Sequence, residues 1–168
     1  MVDRELHDLA ERVGDALKAE KLVLTTAESC TGGLIGAAVT MISGSSAWYD
    51  RGFITYTNAA KQQMLGVKAA TLREHGAVSE ATVREMAAGA LAASSAQIAV
   101  AVSGVAGPTG GTPDKPVGTV CVAWALKDGE AIAETRHFAG DREAVRRLTV
   151  ERALAGVLGL IQPVRLKS

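Results

Sequence analysis

The side chains able to do covalent or acid–base work are gathered in a few short segments. Thr26-Ala27-Glu28-Ser29-Cys30-Thr31-Gly32-Gly33 places hydroxyls and a thiol just ahead of a glycine pair that opens an uncharged stretch of helical length. A hydroxyl leaving a strand there sits beside unpaired N–H groups and the positive end of a helix dipole, which suits an oxyanion or a phosphate. Serine and threonine are also the preferred helix caps, so the same turn reads as a plain cap. It is neither a Walker A loop nor a GxSxG elbow. A serine nucleophile needs a base, and His7, His75 and His137 lie in no glycine-rich loop and beside no orienting carboxylate. Lys61 remains, one short loop after Tyr56. To act as a base near neutrality its pKa must fall from ~10.4 to ~7, which takes about 5 kcal/mol of burial and neighbouring positive charge. The alternative is a solvated lysine at a helix start. Cys30 is a rival nucleophile, since a helix N-terminus lowers a thiol pKa, or else a small buried filler.

Two further loops offer anion-binding chemistry. Ser103-Gly104-Val105-Ala106-Gly107-Pro108 presents backbone N–H groups at a strand end, a possible cradle formed by Ser103, Gly104 and Gly107. Gly140-Asp141-Arg142 starts a helix on which Arg142 and Arg146, four residues apart, share one face: a fork for a phosphate or a solvated basic face. Cys30 and Cys121 form no CxxC pair and the histidines no HxxxH pair, so neither a structural zinc site nor a disulfide framework is expected. No metal and no cofactor is predicted.

These loops need elements to hold them. With 168 residues the chain suits one domain, 1–168, and is too short for two cores and a linker. Its 18 basic and 18 acidic residues cancel, which argues against nucleic acid or an anionic membrane as partner. Aromatics are only 4% against 48% hydrophobic residues, so the core must be Ala, Val, Leu and Ile packed closely against glycine. The charged N-terminus lacks the apolar run of a signal peptide, which predicts a cytoplasmic protein. Two uncharged stretches, 29–49 and 86–113, are too rich in Gly, Ser and Thr to read as membrane spans.

Spacing predicts a helix capped by Asp3 with Leu6, Leu9, Ala10, Val13 and Leu17 on its buried face, a strand over 22–26, and a helix over 34–42. A strand over 52–57, a helix over 59–65 ending at Gly66, and a helical turn over 71–75 follow. Ser79 caps a helix bearing Val83, Met86, Ala87, Ala90 and Leu91, and 98–102 is a buried strand. After the long loop 104–116, strands over 117–126 and 131–138 join across Asp128-Gly129 as a hairpin. A last helix runs from about 141 to 161, and its uncharged second half belongs in the core or in a subunit interface, which favours a homodimer. Trp48 and Tyr49 read as core or interface anchors. The pattern predicts an α/β protein, a three-layer α/β/α sandwich whose mixed sheet ends in an antiparallel hairpin. All three unusual loops follow strands, so they can converge on one site.

Taken in order, the first loop, Tyr56 and Lys61 ahead of Leu65-Gly66-Val67, His75-Gly76-Ala77-Val78-Ser79, the 103–108 loop, Lys115-Pro116-Val117-Gly118-Thr119-Val120 and Gly140-Asp141-Arg142 resemble the CinA C-terminal domain family over nearly the whole chain. The resemblance implies metal-free hydrolysis of the carboxamide of nicotinamide mononucleotide to nicotinate mononucleotide and ammonia, within pyridine nucleotide recycling. It implies Ser29 as nucleophile, Lys61 as base and Tyr56 assisting or orienting. Thr31, Gly32 and Gly33 would contact the oxyanion or substrate, and the 103–107 loop with Arg142 the ribose phosphate. Val105 departs from the commoner isoleucine, and the loop length near Thr112 and Pro113 varies in the family. The longer CinA proteins carry an N-terminal domain resembling molybdopterin-binding proteins, for which this chain has no room. A non-catalytic module that binds a pyridine nucleotide is the competing reading.

Overall fold

The computed structural model describes residues 2–167, with side chains described through residue 161. Asp3 accepts a hydrogen bond from the Leu6 amide at 3.0 Å and starts α1 (Arg4–Ala19), whose Leu6, Ala10, Val13 and Leu17 are buried. There follow β1 (Leu24–Glu28), α2 (Leu34–Thr40), a 3-10 turn (Ser45–Ala47), β2 (Tyr49–Ile54), α3 (Asn58–Leu65), α4 (Ala69–His75) and α5 (Glu80–Ala92). The chain closes with β3 (Ile98–Gly104), the hairpin β4 (Thr119–Leu126) and β5 (Ile132–His137), and α6 (Arg142–Lys167).

The strands form one sheet in the order β2-β1-β3-β4-β5. β1 is parallel to β2 and β3, β4 runs against β3, and β5 runs against β4. Four strands therefore point the same way, and the C-terminal ends of β1, β2, β3 and β5 open along one edge. Side chains alternate across the two faces. Leu24, Ile98, Val100, Val102, Val120, Val122 and Trp124 meet α1, α2 and α6, whereas Ala27, Ala99, Ala101, Cys121, Ala123 and Ala125 meet α5 with Leu65 and Val67. The helices thus lie on both faces of a mixed sheet, as expected for a three-layer sandwich.

The face of small residues lets α5 approach closely, and α5 in turn admits α3. A Cβ on Gly89 would lie 1.9 Å from the Leu65 carbonyl oxygen, so α3 rests directly on glycine. This contact sets the height of α3, the helix that carries Lys61. Trp48 is buried against Gly14 of α1, and Trp124 donates its indole N–H to the Ala153 carbonyl at 2.9 Å.

Two strand positions differ from the pattern in the sequence. β1 lies two residues later than 22–26, because Thr25, Thr26 and Glu28 are buried and their polar groups are satisfied. Thr25 donates to the Arg51 carbonyl and Thr26 pairs with the Tyr49 hydroxyl, so polarity does not mark the strand end here. β2 lies three residues earlier than 52–57, since it is an edge strand and exposes Asp50 and Arg51. The uncharged half of α6 buries Ala153, Leu154, Val157 and Ile161 in the chain's own core. Among the described residues no helix is long and apolar enough to cross a membrane.

Gly89→Ala is expected to destabilise the fold by about 2 kcal/mol, because the new methyl meets backbone rather than a movable side chain. The loss should appear as a fall of about 4–8 °C in melting temperature, despite alanine's better helix propensity.

Candidate active site

The turn bearing Ser29 follows β1. Ser29 donates its amide to the Val102 carbonyl at 3.2 Å, which ties the end of β1 to β3. One strand over, the chain leaves β2, and Thr57 caps α3 by accepting from the Ala60 amide at 3.1 Å. Lys61 therefore stands one turn into α3, on the same face as buried Leu65. Its side chain is 1% exposed, and Nζ lies 2.9 Å from Ser29 Oγ, 3.1 Å from the Thr55 carbonyl and 3.2 Å from the Tyr56 carbonyl. All three partners are uncharged oxygens, none a carboxylate. Burial without a counter-ion holds the Lys61 amine below the ordinary lysine value of 10.5. Ser29 Oγ also lies 3.3 Å from the Tyr56 carbonyl, a second acceptor for its proton.

The partner count has a chemical meaning. An ammonium would donate to all three oxygens, leaving the Ser29 proton to the Tyr56 carbonyl. A neutral amine has two N–H donors, which the Thr55 and Tyr56 carbonyls take, and its lone pair then faces the serine hydroxyl. This is the geometry a general base requires.

The pair sits in a cleft of about 260 Å³ lined by Tyr56 and Asn58, by Ala77 and Val78 between α4 and α5, by Ser103, Gly104 and Ala106, and by Arg142. The loops after β1, β2, β3 and β5 do meet here. Tyr56 is exposed, and its hydroxyl accepts from Arg142 Nη2 at 3.2 Å, while Arg142 Nη1 donates to the Gly107 carbonyl at 2.9 Å. Gly107 thus anchors Arg142 and does not line the cleft, and the Val105 amide is spent on the Thr119 carbonyl. Ser103 is buried, pairs with Cys121 through the β3–β4 ladder and lines the cleft, and its hydroxyl makes none of the side-chain hydrogen bonds of the described residues.

The start of α2 departs from expectation. The Glu28 carboxylate, at the end of β1 and 2% exposed, accepts from the Gly33, Ile35 and Gly36 amides at 3.2, 2.9 and 3.0 Å, and from the Thr31 hydroxyl. The Leu34 amide bonds the Thr31 carbonyl. Every early α2 amide is occupied from within, so Thr31, Gly32 and Gly33 do not offer the helix end to a ligand, and none lines the cleft. Gly33, at φ +107°, has no side chain to cap α2, and Glu28 does that work from five residues upstream. An uncharged helix without its own cap, preceded by a lone acid, was the available signal.

Arg146 is also not placed as a second phosphate ligand. Its Nε and Nη2 donate to the Cys30 and Thr31 carbonyls, each at 3.1 Å. Cys30 lines the cleft but is 5% exposed, and burial pushes its thiol up to about 12, far from a thiolate at neutral pH. Asn58, Ala77 and Val78 are cleft residues that residue chemistry alone did not single out. Among the described residues, ligand atoms close enough to share a metal ion occur on His7, Asp8 and Glu11, and none of these lines the cleft.

Known proteins share this fold and sequence. The chain is 56% identical over 154 residues to the nicotinamide-nucleotide amidohydrolase PncC of Escherichia coli strain K12, covering 92% of this chain and 93% of that one. It is 55% identical over 153 residues to the protein of the same name from Pseudomonas putida, covering 90% and 94%. The crystal structure of competence/damage inducible protein CihA from Agrobacterium tumefaciens superposes with a TM-score of 0.91 at 46% identity, covering 95% of this chain and 98% of that one. The model of the CinA C-terminal domain matches residues 6–161, and with these relatives it shows that the chain belongs to the CinA C-terminal domain family.

Proposed function

We propose that this protein is a serine amidohydrolase that converts nicotinamide mononucleotide and water to nicotinate mononucleotide and ammonia. The observation that carries the reading is the buried Lys61 amine, 2.9 Å from Ser29 Oγ and held by two carbonyls in place of a counter-ion. The names of its relatives in Escherichia coli and Pseudomonas putida supply the substrate.

In this reading neutral Lys61 takes the Ser29 proton as Oγ bonds to the carboxamide carbon. The ammonium so formed keeps its bonds to the Thr55 and Tyr56 carbonyls and turns its third proton to the leaving nitrogen. The C–N bond breaks and ammonia departs. Water then attacks the acyl ester, Lys61 again accepts a proton, and Ser29 returns with release of the acid. With the α2 amides occupied, the Cys30 and Thr31 amides that follow the nucleophile are the oxyanion donors, each worth about 3 kcal/mol if well aimed. Arg142 at the cleft wall takes the phosphate, the unpartnered Ser103 hydroxyl a sugar or amide oxygen, and Tyr56 orients Arg142 across the mouth. Such an enzyme serves pyridine nucleotide recycling in the cytoplasm, and the homodimer belongs to the same proposal.

Ser29→Ala and Lys61→Met are each expected to lower kcat at least about 10³-fold, and the double variant should be no worse than either, because the two act as one unit. Ammonia release from nicotinamide mononucleotide in chelator measures this, with product-binding assays showing whether the cleft still fills. A wild type that binds but never turns over would establish the binding-module reading instead. Cys30→Ala should keep turnover, since its thiol is protonated.

The pH profile follows from the sign of the Lys61 shift. The base form is active, so kcat/KM should rise with pH through an apparent pKa below 10.5, the ordinary lysine value. The rising limb should vanish in the residual activity of Lys61→Met. A wild-type limb at or above the ordinary value would mean that burial does not tune this amine.

A further inference from the structure

The nucleophile turn is gripped from two sides by groups that do not line the cleft. On the inner side the Glu28 carboxylate accepts from the Thr31 hydroxyl and three α2 amides. On the outer side Arg146, from the second turn of α6, donates to the carbonyls of Cys30 and Thr31, the two residues that follow the nucleophile. Gly32, between them and α2, has a left-handed φ of +58°, and a Cβ there would be in ordinary contact with Arg146 Nη2 at 3.4 Å. The peptides of the turn are trans, since Gly107-Pro108 is the cis bond of the described chain. A guanidinium that fixes the Cys30 and Thr31 carbonyls toward α6 therefore turns the Thr31 and Gly32 amides the opposite way. The Gly32 amide goes to the Ser29 carbonyl at 3.1 Å, closing the turn on the nucleophile itself.

We infer that Arg146 and Glu28 are positioning residues for Ser29: a cation on the carbonyls of the turn and an anion on its Thr31 hydroxyl and on the amides that open α2 behind it, which together hold Oγ within reach of Lys61. The inference rests on the amidase reading for its kinetic readout, and it separates Arg146 from Arg142 although the two share a helix face. Arg142 lies in the cleft with its guanidinium on Tyr56 and Gly107; Arg146 has its Nε and Nη2 donors on the turn. Displacing a reacting atom by about 1 Å costs on the order of 10²-fold in rate, so a clamp of this kind acts on kcat.

The test compares wild type with Arg146→Met, Arg146→Lys and Glu28→Gln in the full chain. It measures kcat and KM for nicotinamide mononucleotide and the rate at which a fluorophosphonate labels Ser29 without substrate, with melting curves as the check on folding. Arg146→Met should lose about 10- to 100-fold in kcat with KM changed less than about 3-fold, and labelling should slow in parallel. Arg146→Lys, which keeps the charge but lacks the planar fork that brings separate Nε and Nη2 donors to the two carbonyls, should recover only part of both. Glu28→Gln should follow the same pattern; if it fails to fold, the Arg146 pair decides. A rise in KM with kcat and labelling intact would make Arg146 a substrate ligand and overturn the inference, as would unchanged kcat and labelling. If wild type hydrolyses nothing yet labels, the amidase reading fails while the labelling series still judges the clamp. If wild type neither turns over nor labels, Ser29 is not poised and the clamp falls with it.

Discussion

Everything at the cleft depends on burying the Lys61 amine with no carboxylate to pair it. An unpaired buried ammonium is expensive, so the protein supplies the Thr55 and Tyr56 carbonyls, which serve either protonation state. A glutamate or aspartate in their place would stabilise the ammonium and hold the lysine charged. The two carbonyls belong to the stretch joining β2 to α3, where the backbone has left the sheet ladder and its oxygens are available. Lys61 reaches them because Thr57 starts α3 at the right residue and Gly89 lets α3 sit on α5 without an intervening side chain.

The parallel part of the sheet supplies the rest. Because β1, β2, β3 and β5 end on the same edge, Ser29, the Lys61 helix, Ser103 and Arg142 gather without any one of them lying in a long flexible loop. The antiparallel β4 takes no part in that edge except as the ladder that carries β5 into place. α6 then returns across the edge and contributes at two depths, Arg142 to the cleft and Arg146 to the turn behind it.

The start of α2 shows how a local signal and its use can part. A glycine-opened helix after a strand is a ready anion site, and here the anion is the protein's own Glu28. Filling that site internally rigidifies the turn bearing Ser29. It also leaves the polar lining of the cleft to side chains on other elements, among them Arg142, Asn58 and Ser103.

By itself the sequence determined the layers, because helix and strand periods, caps at Asp3 and Ser79, and the turn glycines are local properties that survive without knowledge of the fold. It also determined which loops hold reactive side chains, and through its order of motifs the family. Strand limits at β1 and β2 escaped it, since buried Thr25, Thr26 and Glu28 look like loop residues until their hydrogen bonds are known. Only the tertiary structure decided between a solvated Lys61 and a buried one, between Cys30 as thiolate and as filler, and between Arg146 facing a ligand and Arg146 facing the turn. Each of those alternatives is set by desolvation and by partners distant in the chain, 32 residues for Lys61 with Ser29 and 116 for Arg146 with Cys30. Spacing along the chain records residue type; the free energy of a charge records what surrounds it, and that is assembled only when the chain folds.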